Sequence, residues 1–178
     1  MPRLPALRAL LALGLGLSPA LTPAPAATTA TFAVGATVQN GCLVAGNPGQ
    51  TAGVVFGQVS FGTFSALAAG LQTSGLGPAG GSQALLQCTA GTNVQLTLDA
   101  GLHALGPQRR MANGSGYFLP YTLALTTLGN QPVVPNIPVG LSMGATAQPL
   151  PLQATVLLPG LGVAAGTYTD TVQVTVSW

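Results

Sequence analysis

Between Ala27 and Trp178 few side chains could do acid–base or redox chemistry. They are Asp99, Asp170, Arg109, Arg110, His103 and the cysteines Cys42 and Cys88. A Ser-His-Asp relay needs a nucleophile, a base and an orienting acid in one pocket. Asp99 and His103 stand close in sequence, but there is no G-x-S-x-G elbow and no second carboxylate nearby. Two acids are a poor basis for a glycosidase pair or a carboxylate metal cluster. Only His103 could join the two cysteines, whereas zinc usually takes four ligands. No catalytic residue, metal ligand or cofactor is therefore assigned. Arg109 and Arg110 admit three readings: an ion pair with Asp99 or Asp170, a solvated loop, or a grip on a carboxylate or phosphate. Asn113-Gly114-Ser115 fits an N-x-S sequon and also a tight turn, since Asn-Gly supplies positive φ.

The composition limits what can hold these groups. Charged residues are 3% of the chain and hydrophobic residues 48%, where an ordinary soluble domain has roughly 25% charged. That balance argues against disorder. The first 26 residues have a basic start at Arg3 and Arg8, an apolar run from Ala9 to Leu17, and the ending Ala24-Pro25-Ala26. This is the form of a secretory leader, with an apolar run too short to span a membrane. An uncleaved anchor is the alternative. Cleavage after Ala26 leaves one domain, residues 27–178, with two Arg, two Asp and no formal net charge. No basic patch for nucleic acid or anionic lipid remains. So sparsely charged a chain tends to associate. In the oxidising compartment that a leader implies, Cys42 and Cys88 are expected to form a disulfide.

Hydrophobic periodicity supplies the frame. In GTYTDTVQVTVSW, Tyr168, Val172, Val174, Val176 and Trp178 share one face with a single polar intruder, Asp170. The alternation predicts a half-buried strand from Tyr168 onwards. A first strand is expected over TFAVGATVQNGCLV, with Phe32, Val34, Ala36, Val38 and Cys42 on one parity. Others are expected over Val54–Phe64, ALLQCTA, NVQLTLD, YFLPYTLALTT and PLQATVLLPG. Ala90-Gly91-Thr92 reads as a turn or bulge. SALAAGLQTSGLGPAGGSQ reads mostly as loop, and the proline-rich GNQPVVPNIPVG as loop or edge. Roughly seven short strands, Gly/Pro punctuation and a bridging disulfide predict an all-β, immunoglobulin-like sandwich. A closed barrel is the alternative. Tyr168 stands where the tyrosine corner of such sandwiches sits, by analogy.

Several stretches, in order, resemble the spore coat protein U domain family. They are ATFAVGATVQNGCLV, VSFGTF, ALLQCTAGTNVQLTLDAG, RRMANGSGYFLPYTL and AGTYTDTVQVTVSW. The resemblance covers essentially all of residues 27–178. It implies a secreted structural subunit of an archaic chaperone–usher pilus, supporting adhesion and biofilm formation. Such a subunit has an incomplete sandwich lacking its last strand, with no enzymatic role. The implied partners are a periplasmic chaperone, an outer-membrane usher and neighbouring subunits. The implied route runs through the periplasm to a surface fibre. Under that resemblance Phe32, Val34, Ala36 and Val38 are the expected donor strand, and Val172, Val174, Val176 and Trp178 the acceptor edge. The alternatives are a coat-type protein whose own Phe32–Val38 closes its sandwich, and an adhesive tip module with exposed apolar loops around Leu67–Leu76 or Val133–Val139. The R-R-M run of the family pattern favours an ion-paired Arg109 and Arg110. The Ala/Gly-rich loop after Phe64 and the prolines of LTTLGNQPVVPNIPVG depart from that pattern, leaving shaft, minor and tip positions open.

Overall fold

The computed structural model describes residues 29–178 except Asn47, and only the backbone of Leu128. The expected leader, residues 1–26, lies outside the described residues. The chain divides into the units Met1–Thr37 and Val38–Trp178. Within the first, residues 29–37 form neither helix nor strand.

The second unit is built from β1 (Cys42–Val44), β2 (Gln58–Val59), β3 (Ala69–Gly77), β4 (Leu86–Cys88), β5 (Thr92–Leu98), β6 (Arg109–Ala112), β7 (Phe118–Leu125), β8 (Gln131–Pro132), β9 (Val139–Met143), β10 (Leu152–Pro159) and β11 (Val174–Ser177). A single 3₁₀ turn at Thr126–Leu128 is the one helical element among the described residues. The larger sheet has the order β2-β3-β10-β7-β6, with β8 also on β7. The smaller has the order β11-β5-β9, and β1 pairs with β4. All these pairings are antiparallel.

Period-two alternation builds the core. Val94, Leu96 and Leu98 of β5 and Val139, Leu141 and Met143 of β9 face one way. Leu119, Tyr121, Leu123 and Leu125 of β7 and Leu152, Ala154, Val156 and Leu158 of β10 meet them in one buried cluster. Two sheets sharing one apolar core make a β-sandwich, as the alternation predicts. Leu96 is wholly buried. The β4–β5 connection is a turn with Gly91 at φ 78°, a backbone state that glycine enters without penalty.

Four expectations need correction. The strand predicted over TFAVGATVQNGCLV is confined to Cys42–Val44. That over Val54–Phe64 shrinks to β2, flanked by Gly57 at φ 145° and Gly62 at φ 84°. The stretch read mostly as loop contains β3, which pairs with β10 from Gly75↔Gln153 to Ala69↔Pro159. Its inward positions Gln72 and Ser74 are polar while Leu71 faces solvent. The apolar contrast is therefore absent, and pairing with β10 makes the strand. Finally, the last strand begins at Val174, not Tyr168. Alternation of exposure still runs from Tyr168 to Val176, but the early residues make scattered main-chain bonds, Thr169 to Ala112 of β6 and Thr171 and Gln173 to Leu102 and Asp99, in place of a continuous ladder. Trp178 does not join the inner face; it is 60% exposed.

Cys42 and Cys88 form the expected disulfide between directly opposed residues of β1 and β4, closing a separation of 46 residues. Replacing both cysteines by serine is expected to lower stability by about 2–4 kcal/mol. The urea midpoint of oxidised wild type against the double variant measures it.

Candidate functional site

All five charged or imidazole side chains of residues 29–178 belong to one polar knot at the end of the sandwich. Arg109, on β6, is only 3% exposed. Its Nε and Nη2 donate to Asp99 O at 2.9 and 2.7 Å. Nη2 also donates to Leu98 O at 3.2 Å, and Nη1 to Val133 O at 2.7 Å. One guanidinium thus ties the end of β5 and the segment after β8 to the edge of the larger sheet. Burial draws Arg109 below its ordinary pKa, against the opposing pull of Tyr121, Asp99 and Asp170. Arg110 donates to His103 O at 3.0 Å and lies 4.1 Å over the Phe118 ring.

The two aspartates bind the final segment. Asp99 Oδ1 accepts from Gly101 N and Gln173 N, each at 2.9 Å. Asp170, the polar intruder on the apolar face, has a side chain 3% exposed. Its carboxylate accepts from Tyr121 Oη at 2.7 Å and His103 N at 3.2 Å, and lies 3.0 Å from His103 Nδ1. Gly101, at φ 84°, passes so close that a Cβ there would run into the Asp170 carboxylate. The expected Arg–Asp ion pairs do not form. Backbone carbonyls take the guanidinium protons, and the Asp170 oxygens are already occupied. Among the described residues the one acid–base contact is His103–Asp170. Tyr168 Oη donates to Ala164 O at 2.8 Å, so its hydroxyl does bond back to main chain. Asn113 Oδ1 accepts from Ser115 N and Tyr117 N, folding the sequon into a turn.

Burial, then the hydrogen bond to Asp170, pushes the Tyr121 phenol far above its ordinary range. The neutral phenol is the form the fold favours. This contribution is complete below the unfolded phenol value of about 10 and drains away as pH climbs towards the folded value. Wild type should therefore lose stability above about pH 10, and Tyr121→Phe should flatten that loss while costing about 1.5–3 kcal/mol at neutral pH, the range for a hydrogen bond to a charged group. Urea midpoints across an alkaline pH series check this.

Beside the knot the sandwich is open. A cleft of about 550 Å³ has the inner face of the larger sheet as its floor, with Leu76, Ala154, Leu152, Leu123, Tyr121 and Met111. One wall is Val54–Val59 with Phe61; the other is Tyr168–Val174. Beyond β5, β11 has no hydrogen-bonded neighbour among the described residues. The burial pattern registers the gap. Val94, Leu96 and Leu98 of β5 are at most 1% exposed, whereas Phe56, Val59, Phe61, Leu76, Val172, Val174 and Val176 are only partly buried against the same core. Val172 and Val174 line the cleft, Val176 continues their face, and Trp178 does not line it. Phe32 and Val34 are each 86% exposed, Val38 is 94% exposed, and Ala36 is also exposed. Reading the sequence missed the wall from Phe56 to Phe61, because Gly57 at φ 145° breaks the parity between Phe56 and Val59. That glycine was the available signal.

A family model for the Spore Coat Protein U domain matches residues 28–175. The chain belongs to that family. The motifs that resemble the spore coat protein U domain converge on the knot: LTLDAG brings Asp99 and Gly101, RRM brings Arg109 and Arg110, and GTYTDT brings Asp170. Among solved structures, this spore coat protein U domain is similar to a chain in the CsuC–CsuE chaperone–tip adhesion subunit pre-assembly complex from archaic chaperone-usher Csu pili of Acinetobacter baumannii. The identity is 22% and the TM-score 0.42, over 80% of this chain and 40% of that one. The chain thus spans less than half of that relative's length. No curated protein matches it.

Proposed function

We propose that this spore coat protein U domain is a structural subunit of an archaic chaperone–usher surface fibre that is completed by a strand from another molecule. The observation that carries the reading is the open cleft beside β11, whose wall and floor are an apolar core left half covered. A strand laid there gains main-chain hydrogen bonds from the free edge of β11 and pockets for alternate side chains. Phe32, Val34, Ala36 and Val38 have the required alternation and are exposed. Burying Phe32, Val34 and Val38 stabilises by roughly 1.5–3 kcal/mol each, an upper bound because unbound segments already hide some apolar area. The donor is the N-terminal segment of the next subunit. A periplasmic chaperone fills the cleft in transit, and an outer-membrane usher exchanges the strands. Residues 1–26 direct export, and the fibre serves adhesion and biofilm formation. Mechanism here is strand exchange, with no turnover.

The test is to express residues 27–178 in an oxidising compartment with and without a pilus chaperone, and again without residues 27–38. The full chain alone should polymerise. The shortened chain should remain an unstable monomer or a chaperone complex. A stable monomeric full chain that merely unfolds on truncation would overturn the reading in favour of a coat-type protein closed by its own first segment. The exposure of Leu67, Leu71, Val134 and Ile137 is the observation that favours a second reading, an adhesive tip module. Binding of the assembled fibre to apolar surfaces, lost on Val134→Asp and Ile137→Asp, would support that reading.

A further inference from the structure

Beyond the short stretch of cleft wall that β2 forms on β3, the larger sheet has an unguarded edge. β10 pairs with β3 along Ala69–Gly75, but β2 covers β3 only at Leu76 and Gly77. Ser74 Oγ reaches Ser60 O at 2.7 Å just beyond that cover. From Ala69 to Thr73, about 17 Å of strand, the outer row of N–H and C=O groups has no strand beside it among the described residues. Natural edges are blunted by lysine, proline, bulges or inward charges. This one has none of them: its register with β10 is unbroken, the chain has no lysine, and every charged side chain of residues 29–178 lies in the knot.

We propose that this edge of β3 pairs antiparallel with the same edge of a second copy of the chain. A row of main-chain donors and acceptors calls for an extended strand. The flanking side chains say which kind. Leu71 and its cross-strand partner Leu157 are 69% and 56% exposed, and nearby Leu67 and Leu161 are 71% and 75% exposed. A charged or polar strand would leave these leucines wet. The same edge, turned about a two-fold axis, brings an identical leucine patch and no charge, which is the self-complementary arrangement an isologous contact requires. The contact is short, so its strength grows by repetition. Subunits joined end to end would present it at every repeat and lie side by side. The inference uses a different edge from the donor cleft and stands without it.

The test separates the two contacts. In the full chain with Phe32→Asp, end-to-end addition is switched off and edge pairing should leave dimers in sedimentation over a concentration series. Leu71→Lys in that background places like charges across the two-fold and should weaken dimerisation at least about tenfold. Gln95→Lys, the same charge on the exposed face of β5, should not. Thr73→Lys replaces Leu71→Lys if the latter shifts the urea midpoint. A monomer at every concentration, or equal effects of the β3 and Gln95 lysines, overturns the proposal. Should Phe32→Asp still give long polymers, the donor reading fails instead, and the same lysine comparison on sideways bundling in electron micrographs decides the edge.

Discussion

Arg109→Met is expected to lower stability by about 3–5 kcal/mol, the largest effect of any charge removal in the domain. Methionine keeps much of the aliphatic packing of the stem. What disappears is the fork that satisfies Leu98, Asp99 and Val133 carbonyls. Hydrogen bonds to a charged donor contribute about 1.5–3 kcal/mol each, and buried acceptors left unpaired cost about 1–3 kcal/mol each. Summed in full these would exceed the expected loss, but water entering the knot recovers part. Arg109→Lys should fail nearly as badly, because one ammonium cannot span three carbonyls in a fixed plane. Arg110→Met removes the same charge from a partly exposed site, where water can replace its bonds to the His103 and Ala104 carbonyls and one ring contact is lost, and should cost only about 1–2 kcal/mol. Urea unfolding of the three variants at neutral pH measures the contrast. Equal losses at Arg109 and Arg110 would mean that net charge matters and the carbonyl fork does not.

The same residue shows how far sequence reading reaches. Its charge made it conspicuous, and the most natural partners for two arginines were the two aspartates. Local sequence cannot show that the ends of two strands, β5 and β8, would present three carbonyls to one point; that convergence is a product of topology. The strong alternators, β5, β7 and β10, were legible because their inward residues are buried and, apart from Thr92 and the hydroxyl of Tyr121, apolar. β3 was not, since Gln72 and Ser74 face inward and Leu71 outward, and its strand form is imposed by β10. The segment Tyr168–Gln173 alternates as a strand should, yet its main chain bonds first to Ala112 and then to Leu102 and Asp99, so no one neighbour runs beside it as a ladder. The cleft follows a similar division. Val172 and Val174 were visible as one face of a strand. That they would border an opening floored by Leu123, Leu152 and Ala154 required the sheets to be placed.

A peptide with the sequence TFAVGATVQN, residues 31–40, should block assembly of the full chain and stabilise a chain lacking residues 27–38. If the cleft is an acceptor for this segment, free peptide competes with the segment of the next subunit for the β11 edge. Binding to the folded cleft alone raises stability by RT ln(1 + [L]/Kd), about 2.7 kcal/mol at a hundredfold excess over Kd. The peptide with Phe32→Asp is the control. It forfeits roughly 1.5–3 kcal/mol of apolar burial and must also desolvate a carboxylate in a cleft whose floor offers it no cation. Neither Arg109 nor Arg110 lines the cleft, and the Arg109 donors are already committed to carbonyls. A combined penalty of about 4 kcal/mol or more is a loss of roughly a thousandfold in affinity. In the full chain, Phe32→Asp should accordingly leave only short assemblies while the urea midpoint of each subunit's core stays put. Urea midpoints with each peptide, and polymer length by sedimentation, read the two effects separately. Stabilisation by both peptides alike would show that the cleft accepts any extended strand, and that the alternation from Phe32 to Val38 does not specify the donor.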